Sequence, residues 1–109
     1  MQFEDIKSQI KTCNFNEVRA DKPDFFEAVI QKNNLETLNA GLNSILGSPV
    51  WPAQGELPDE TRHIVEPFGG IMSGQSLYLK RMDDFQVFAM LWPWGDKEHI
   101  TIKMGRVAA

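Results

Sequence analysis

The chain has a single cysteine, Cys13, so no intrachain disulfide can form and a cysteine-based zinc site is excluded. Histidines are almost as scarce: His63 and His99 are the only two. His63 and Glu66 have the i,i+3 spacing that suits metal ligation on a helix, but no further ligand is identifiable, so no metal and no other cofactor is expected. Basic residues are outnumbered, 11 Lys and Arg against 15 Asp and Glu, for a net charge of -4. That balance argues against nucleic-acid binding, where affinity rests on cations displacing condensed counterions. Long apolar runs are missing too. The longest, around Val87 to Trp92, falls far short of the roughly 20 residues needed to cross a bilayer, so no membrane partner is expected. The start, Met1-Gln2-Phe3-Glu4-Asp5, has neither the positive charge nor the apolar segment of a secretory signal, and a cytoplasmic location is the expectation.

What is present is ordinary for a folded protein. Hydrophobic residues make up 42% and charged residues 24% of 109 residues, far from the polar, highly charged profile of a disordered chain. The length suits one hydrophobic core and not two, so residues 1–109 are read as a single domain.

Phe3, Ile6, Ile10 and Cys13 recur at helical intervals, which predicts a first helix from Phe3 to about Cys13 with the thiol as buried filler. Pro23 suits the first turn of a second helix, with Asp24 and Glu27 complementing its dipole and Phe25, Phe26, Val29 and Ile30 supplying a buried face. Asn33-Asn34 breaks the phase. Asn34 then caps a third helix with the stripe Leu35, Leu38, Leu42 and Ile45, stopped by Gly47 and Ser48-Pro49. One continuous helix from Asp24 to Leu46 is the rival reading. Residues 47–59 are punctuated by Pro49, Pro52, Gly55 and Pro58 and read as a loop in which Trp51 either pins the chain to the core or lines a cleft as part of a lid; pinning is favoured. Thr61 to Glu66 is open between a short helix started by Pro58-Asp59-Glu60 and a strand, and the β-branched pair Ile64-Val65 favours the strand.

The C-terminal part reads as an antiparallel meander: Ser76 to Met82, Phe85 to Leu91 and His99 to Met104, separated by Asp83-Asp84 and by Trp94-Gly95-Asp96-Lys97. The fold class is therefore α+β, with about three N-terminal helices packed on one face of a sheet of three or four strands. Two-residue turns at Asp83-Asp84 and Gly95-Asp96 would pair Met82 with Phe85 and Trp94 with Lys97. Tyr78, Val87, Ala89, Leu91, Ile100, Ile102 and Met104 then face the helices. The opposite face carries Leu77, Leu79, Phe88, Met90 and Trp92 among Arg81, Gln86, His99, Thr101 and Lys103.

That second face is too apolar for a wet surface and too polar for a sealed core. It is covered by the 47–59 loop, by a second subunit, or by a ligand, and an interface is favoured because large exposed apolar patches mark contacts. No catalytic set is identifiable. Asp96 could orient His99 as a base, but Ser73, Ser76 and Thr101 lie in no nucleophile elbow. Phe68-Gly69-Gly70 to Gly74 matches neither phosphate-binding glycine motif, and its glycines are read as sites of positive φ or of a bulge leading into a strand, with close backbone approach by a ligand or partner as the functional alternative. The expected function is thus a small soluble protein-interaction module and not an enzyme, forming a homodimer or binding a protein partner through Leu77, Leu79, Phe88, Met90, Trp92 and His99. The alternative is a small-molecule binder or enzyme with a pocket between the sheet and the Trp51 loop, involving Trp51, His63, Gly69 and Gly70.

Overall fold

The structure, a computed structural model, describes residues 2–52 and 56–108. The first helix, α1 (Phe3–Ile10), leads into a hairpin of β1 (Glu17–Lys22) and β2 (Phe25–Gln31). A 3-10 turn at Lys32–Asn34 runs directly into α2 (Leu35–Leu46), and α3 (Asp59–Val65) is followed by a second 3-10 turn at Glu66–Phe68. The strands β3 (Ser76–Arg81), β4 (Phe85–Pro93) and β5 (His99–Ala108) complete a five-stranded antiparallel sheet of order β1-β2-β5-β4-β3. No helix among the described residues is long and apolar enough to cross a membrane.

The α+β class holds, but three details of the sequence reading need correction. The sheet has five strands, not three or four, and the helices are interspersed among them. The segment from Phe25 to Ile30 is strand β2, not a helix started by Pro23, and the rival long helix from Asp24 fails with it. Pro23-Asp24 is the turn of the hairpin, closed by the pair Lys22 and Phe25. The reason for the misreading is that β2 is apolar on both sides: Phe26, Ala28 and Ile30 face the helices, while Phe25 packs on the opposite face. A short apolar run of this kind has no periodicity that separates strand from helix. The third correction concerns Thr61 to Glu66, which is helical. Asp59 and Glu60 sit in the first turn of α3, where their charge complements the helix dipole, and Ile64-Val65 lies at its end.

Of the other boundaries, α1 ends at Ile10, short of the Cys13 expected, and the C-terminal stop of α2 has the cause read from sequence. Gly47 ends α2 at φ 83°, donating its N–H to Asn43 O. Asn34 precedes α2 but makes no side-chain cap, because the 3-10 turn already carries the chain into the helix. Cys13 packs partly buried against the core, and burial pushes its thiol pKa up.

The two helices that share a face are α1 and α2. Phe3, Ile6, Ile10, Leu38, Leu42 and Leu46 form one core with the sheet residues Tyr78, Val87, Ala89, Leu91, Ile100, Ile102 and Met104. All seven expected inward residues are there, and the Tyr78 hydroxyl is satisfied by Asn39 Oδ1 at 2.9 Å. Helix α3 packs on the other face.

Lys7 locks α1 to the hairpin. Its side chain is 5% exposed, and its Nζ reaches Glu4 Oε1 at 3.0 Å, Asp21 Oδ1 at 2.9 Å and Lys22 O at 2.8 Å. Desolvation alone would lower the Lys7 pKa, but hydrogen bonds to Asp21 and Glu4 outweigh it and hold the pKa above its ordinary value. That contribution is therefore intact at neutral pH and is lost as pH rises through the raised folded value. Replacing Lys7 by Ala removes these charge-assisted bonds and is expected to cost about 2 kcal/mol in urea unfolding at neutral pH. The deficit should shrink once the pH passes the lysine range.

Candidate functional site

The second sheet face is covered from within over half its width. Val65 of α3 and Leu57 pack with Leu77, Phe88 and Met90, and Ile64, Phe68, Ile71, Leu79, Trp51 and Trp92 join this second cluster. Phe68, from the 3-10 turn, sits between Phe25 and Phe88 with ring centroids 5.5 and 4.6 Å away. Leu77, Phe88 and Met90 are fully buried. Of the expected interaction surface only Leu79, Trp92 and His99 keep any exposure, which departs from the reading of this face as an interface. The physical reason is that the segment read as a strand is the polar helix α3, whose C-terminal Ile64 and Val65 turn onto this face and cover part of it.

Trp51 pins its loop. Its indole N–H donates to Met72 O at 3.2 Å, and its backbone exchanges hydrogen bonds with Leu77 across the outer edge of β3. Residues 53–55, including Gly55, lie outside the described residues. His63 is exposed on α3, and no group of three or more His, Cys, Asp or Glu among the described residues could hold a metal.

Gly69 and Gly70 have φ of 108° and 73°. The space beside Gly69 is taken by Trp92 of the same chain, whose ring a Cβ on Gly69 would overlap. Lys103 closes the ring's other contact, with Nζ 3.8 Å from the ring centroid and donating to Phe68 O at 3.1 Å. The Trp92 indole N–H is the one buried side-chain polar atom among the described residues without a partner. Trp92 is therefore a wedge between the sheet and the Gly69 turn.

The other half of this face, on β1, β2 and the start of β5, carries a different arrangement. Pro93 pairs with Ile100 and Trp92 with Thr101, so the β4–β5 connection is two residues longer than the Gly95-Asp96 turn expected from sequence. Trp94 N–H donates to His99 O, and Lys97 takes a left-handed φ of 63°. Asp96 organises the loop by its side chain. Its Oδ1 accepts from the backbone N–H of Glu98 and of His99 at 2.9 and 3.1 Å, and its Oδ2 lies 2.6 Å from His99 Nδ1. Trp94, not Trp92, is the neighbour of His99, with ring centroids 4.8 Å apart. The Trp94 indole donates to Thr101 Oγ1 at 2.8 Å, and the Arg19 guanidinium lies 5.6 Å from the ring. Trp94 remains 36% exposed while Thr101 beneath it is 5% exposed. Arg19 itself is held by Glu17 at 3.0 Å and approaches Glu27 at 3.9 Å.

Chemically, the Asp96–His99 pair resembles the start of a general-base arrangement. Its surroundings fit turn chemistry better. The Thr101 hydroxyl already accepts from Trp94, and Ser76 lies on β3 with β4 between it and β5. Comparison of the chain with protein-family models, curated proteins and solved structures finds no match, so the meaning of the site rests on its own geometry.

Two outcomes follow. Gly70→Ala meets only the cost of a left-handed alanine, about 1 kcal/mol, whereas Gly69→Ala must also displace Trp92 and is expected to lose about 1–3 kcal/mol more; parallel urea titrations compare them. The Asp96 pKa is lowered by the Glu98 backbone N–H first and His99 second. Its stabilisation is therefore full above the ordinary carboxylate pKa and lost as pH falls through the depressed value. Asp96→Asn should lower the melting temperature at neutral pH, with the gap from the parent closing below the carboxylate range.

Proposed function

We propose that the protein is a small non-enzymatic binding module that contacts another protein through the half of the second sheet face that α3 leaves open. The first candidate partner is a second copy of the chain. The observation that carries this reading is Trp94: a large aromatic, more than a third exposed, held by a hydrogen bond to Thr101 and flanked by Arg19 and His99. Tryptophan and arginine are the residue types most enriched at binding hot spots, and a ring already fixed by its neighbours loses little freedom when a partner covers it.

Trp92 does not share that role, because the Gly69 turn and Lys103 already occupy its ring. The surface moves two residues along β4 from the position favoured by sequence. His99 stays in it. Leu77, Phe88 and Met90 support it only from the core beneath α3.

The test is light scattering over a wide concentration range on the parent chain and on Trp94→Ala and Arg19→Ala. Self-association that weakens about 30-fold in Trp94→Ala, with unchanged circular dichroism, is the expected outcome for a hot-spot residue. A parent chain that stays monomeric throughout, together with unchanged protein capture by Trp94→Ala, overturns the reading.

A further inference from the structure

At the same end of the molecule a cavity of about 300 Å³ opens between the β4–β5 loop and the turn that starts α2. Leu35, Pro93, Ile100 and Trp94 are its apolar lining residues, and Lys32, Lys97 and His99 complete the lining. None of its described lining residues is acidic, in a chain whose net charge is -4.

The cations are placed by backbone structure. Lys32 N–H donates to Glu98 O at 2.8 Å, tying the 3-10 turn to the hairpin loop, and Lys97 is fixed by its left-handed conformation and by donation of its N–H to Trp94 O. Neither ammonium group makes an ion pair or hydrogen bond with another described residue, as is also true of Lys22 at the far end of the hairpin, whereas Lys7, Lys11, Lys80 and Lys103 all do. The loop has two carboxylates of its own. Asp96 is occupied by His99 and two backbone N–H groups, and Glu98 lines an adjoining cavity of about 570 Å³ that shares Lys32.

We propose that this cavity binds a small organic anion, a carboxylate carrying an apolar body. The body packs against Leu35, Pro93 and Ile100 beside the Trp94 ring. The carboxylate lies between the Lys32 and Lys97 ammonium groups, with His99 Nε2, the ring nitrogen that Asp96 does not hold, at the same rim. A pocket of this kind gains its affinity from apolar contact and its choice of ligand from a few polar groups. Because both lysines are exposed, each ion pair adds little, and a Kd of about 0.1–1 mM is expected.

Amide chemical-shift titration of the full chain with phenylacetate, its neutral amide phenylacetamide and the cation phenethylamine tests this. Phenylacetate should shift Lys32, Leu35, Lys97 and Ile100, and the neutral and cationic analogues should bind at least about fivefold more weakly. A Lys32→Gln, Lys97→Gln double variant, unchanged in melting temperature, should weaken phenylacetate about tenfold and leave phenylacetamide unaffected. No shift up to about 10 mM phenylacetate, equal binding of the three analogues, shifts elsewhere, or an unaffected double variant each overturns the proposal. Because Trp94 is untouched, these outcomes are separate from those of the self-association test.

Discussion

Strand β4 is apolar on both sides, and the sheet around it therefore needs two covers. Val87, Ala89 and Leu91 point one way and Phe88 and Met90 the other, all of them buried. Burial of each large side chain is worth about 1.5–3 kcal/mol, so leaving either face wet would forfeit a large part of a small domain's stability. Helices α1 and α2 cover one face. Among the described residues the cover of the other face comes from Leu57, α3, the 3-10 turn, Ile71 and Trp51, and it reaches from β3 to Phe25 of β2 with no residue of β1 in the cluster. Beyond that cover, Trp94 lies over Thr101 with Arg19 beside its ring.

The division of the sheet into two faces was legible in the sequence even though one turn was not. Asp83-Asp84 is the expected two-residue turn, with Met82 N–H donating to Phe85 O. The next connection is longer by two residues: Asp96 caps the loop through its carboxylate, and Lys97 takes the left-handed conformation that lets the chain return. An error of two in a period-2 structure leaves every side chain on its own face. An error of one would have exchanged the faces. What the longer loop changes is the neighbours: Trp92 slides opposite Thr101, and Trp94 moves beside His99.

The hairpin of β1 and β2 was hidden for a different reason. In Glu-Val-Arg-Ala-Asp-Lys almost every side chain is exposed, so β1 carries no apolar periodicity at all, and β2 carries apolar residues on both sides. Pattern reading works for elements with one wet and one dry face; β1 has no dry face, and the second face of β2 mixes Phe25 and Val29 with Glu27 and Gln31. Helix α2, with one face buried, was legible down to its glycine stop. The candidate site was legible in part: His99, Asp96 and the two tryptophans were singled out, but which indole stays reachable depended on the Gly69 turn, a contact between residues 23 positions apart.

The edges of the sheet bear on where a partner could dock. An edge strand exposes unpaired backbone groups and invites another strand, and proteins blunt such edges with charge, bulges or added cover. All three devices are present. On one side β1 carries Glu17, Arg19, Asp21 and Lys22 in six residues, with a register shift between Val18 and Ala20. On the other side Trp51 bridges to Leu77 and occupies part of the outer edge of β3. Strand addition is thus opposed at β1 and partly blocked at β3, while at the Trp94 corner the indole is not wedged like Trp92 and stays more than a third exposed beside the Arg19 guanidinium. A face contact centred on that ring needs no backbone pairing, and it is the mode of association that the rest of the sheet's construction leaves least opposed.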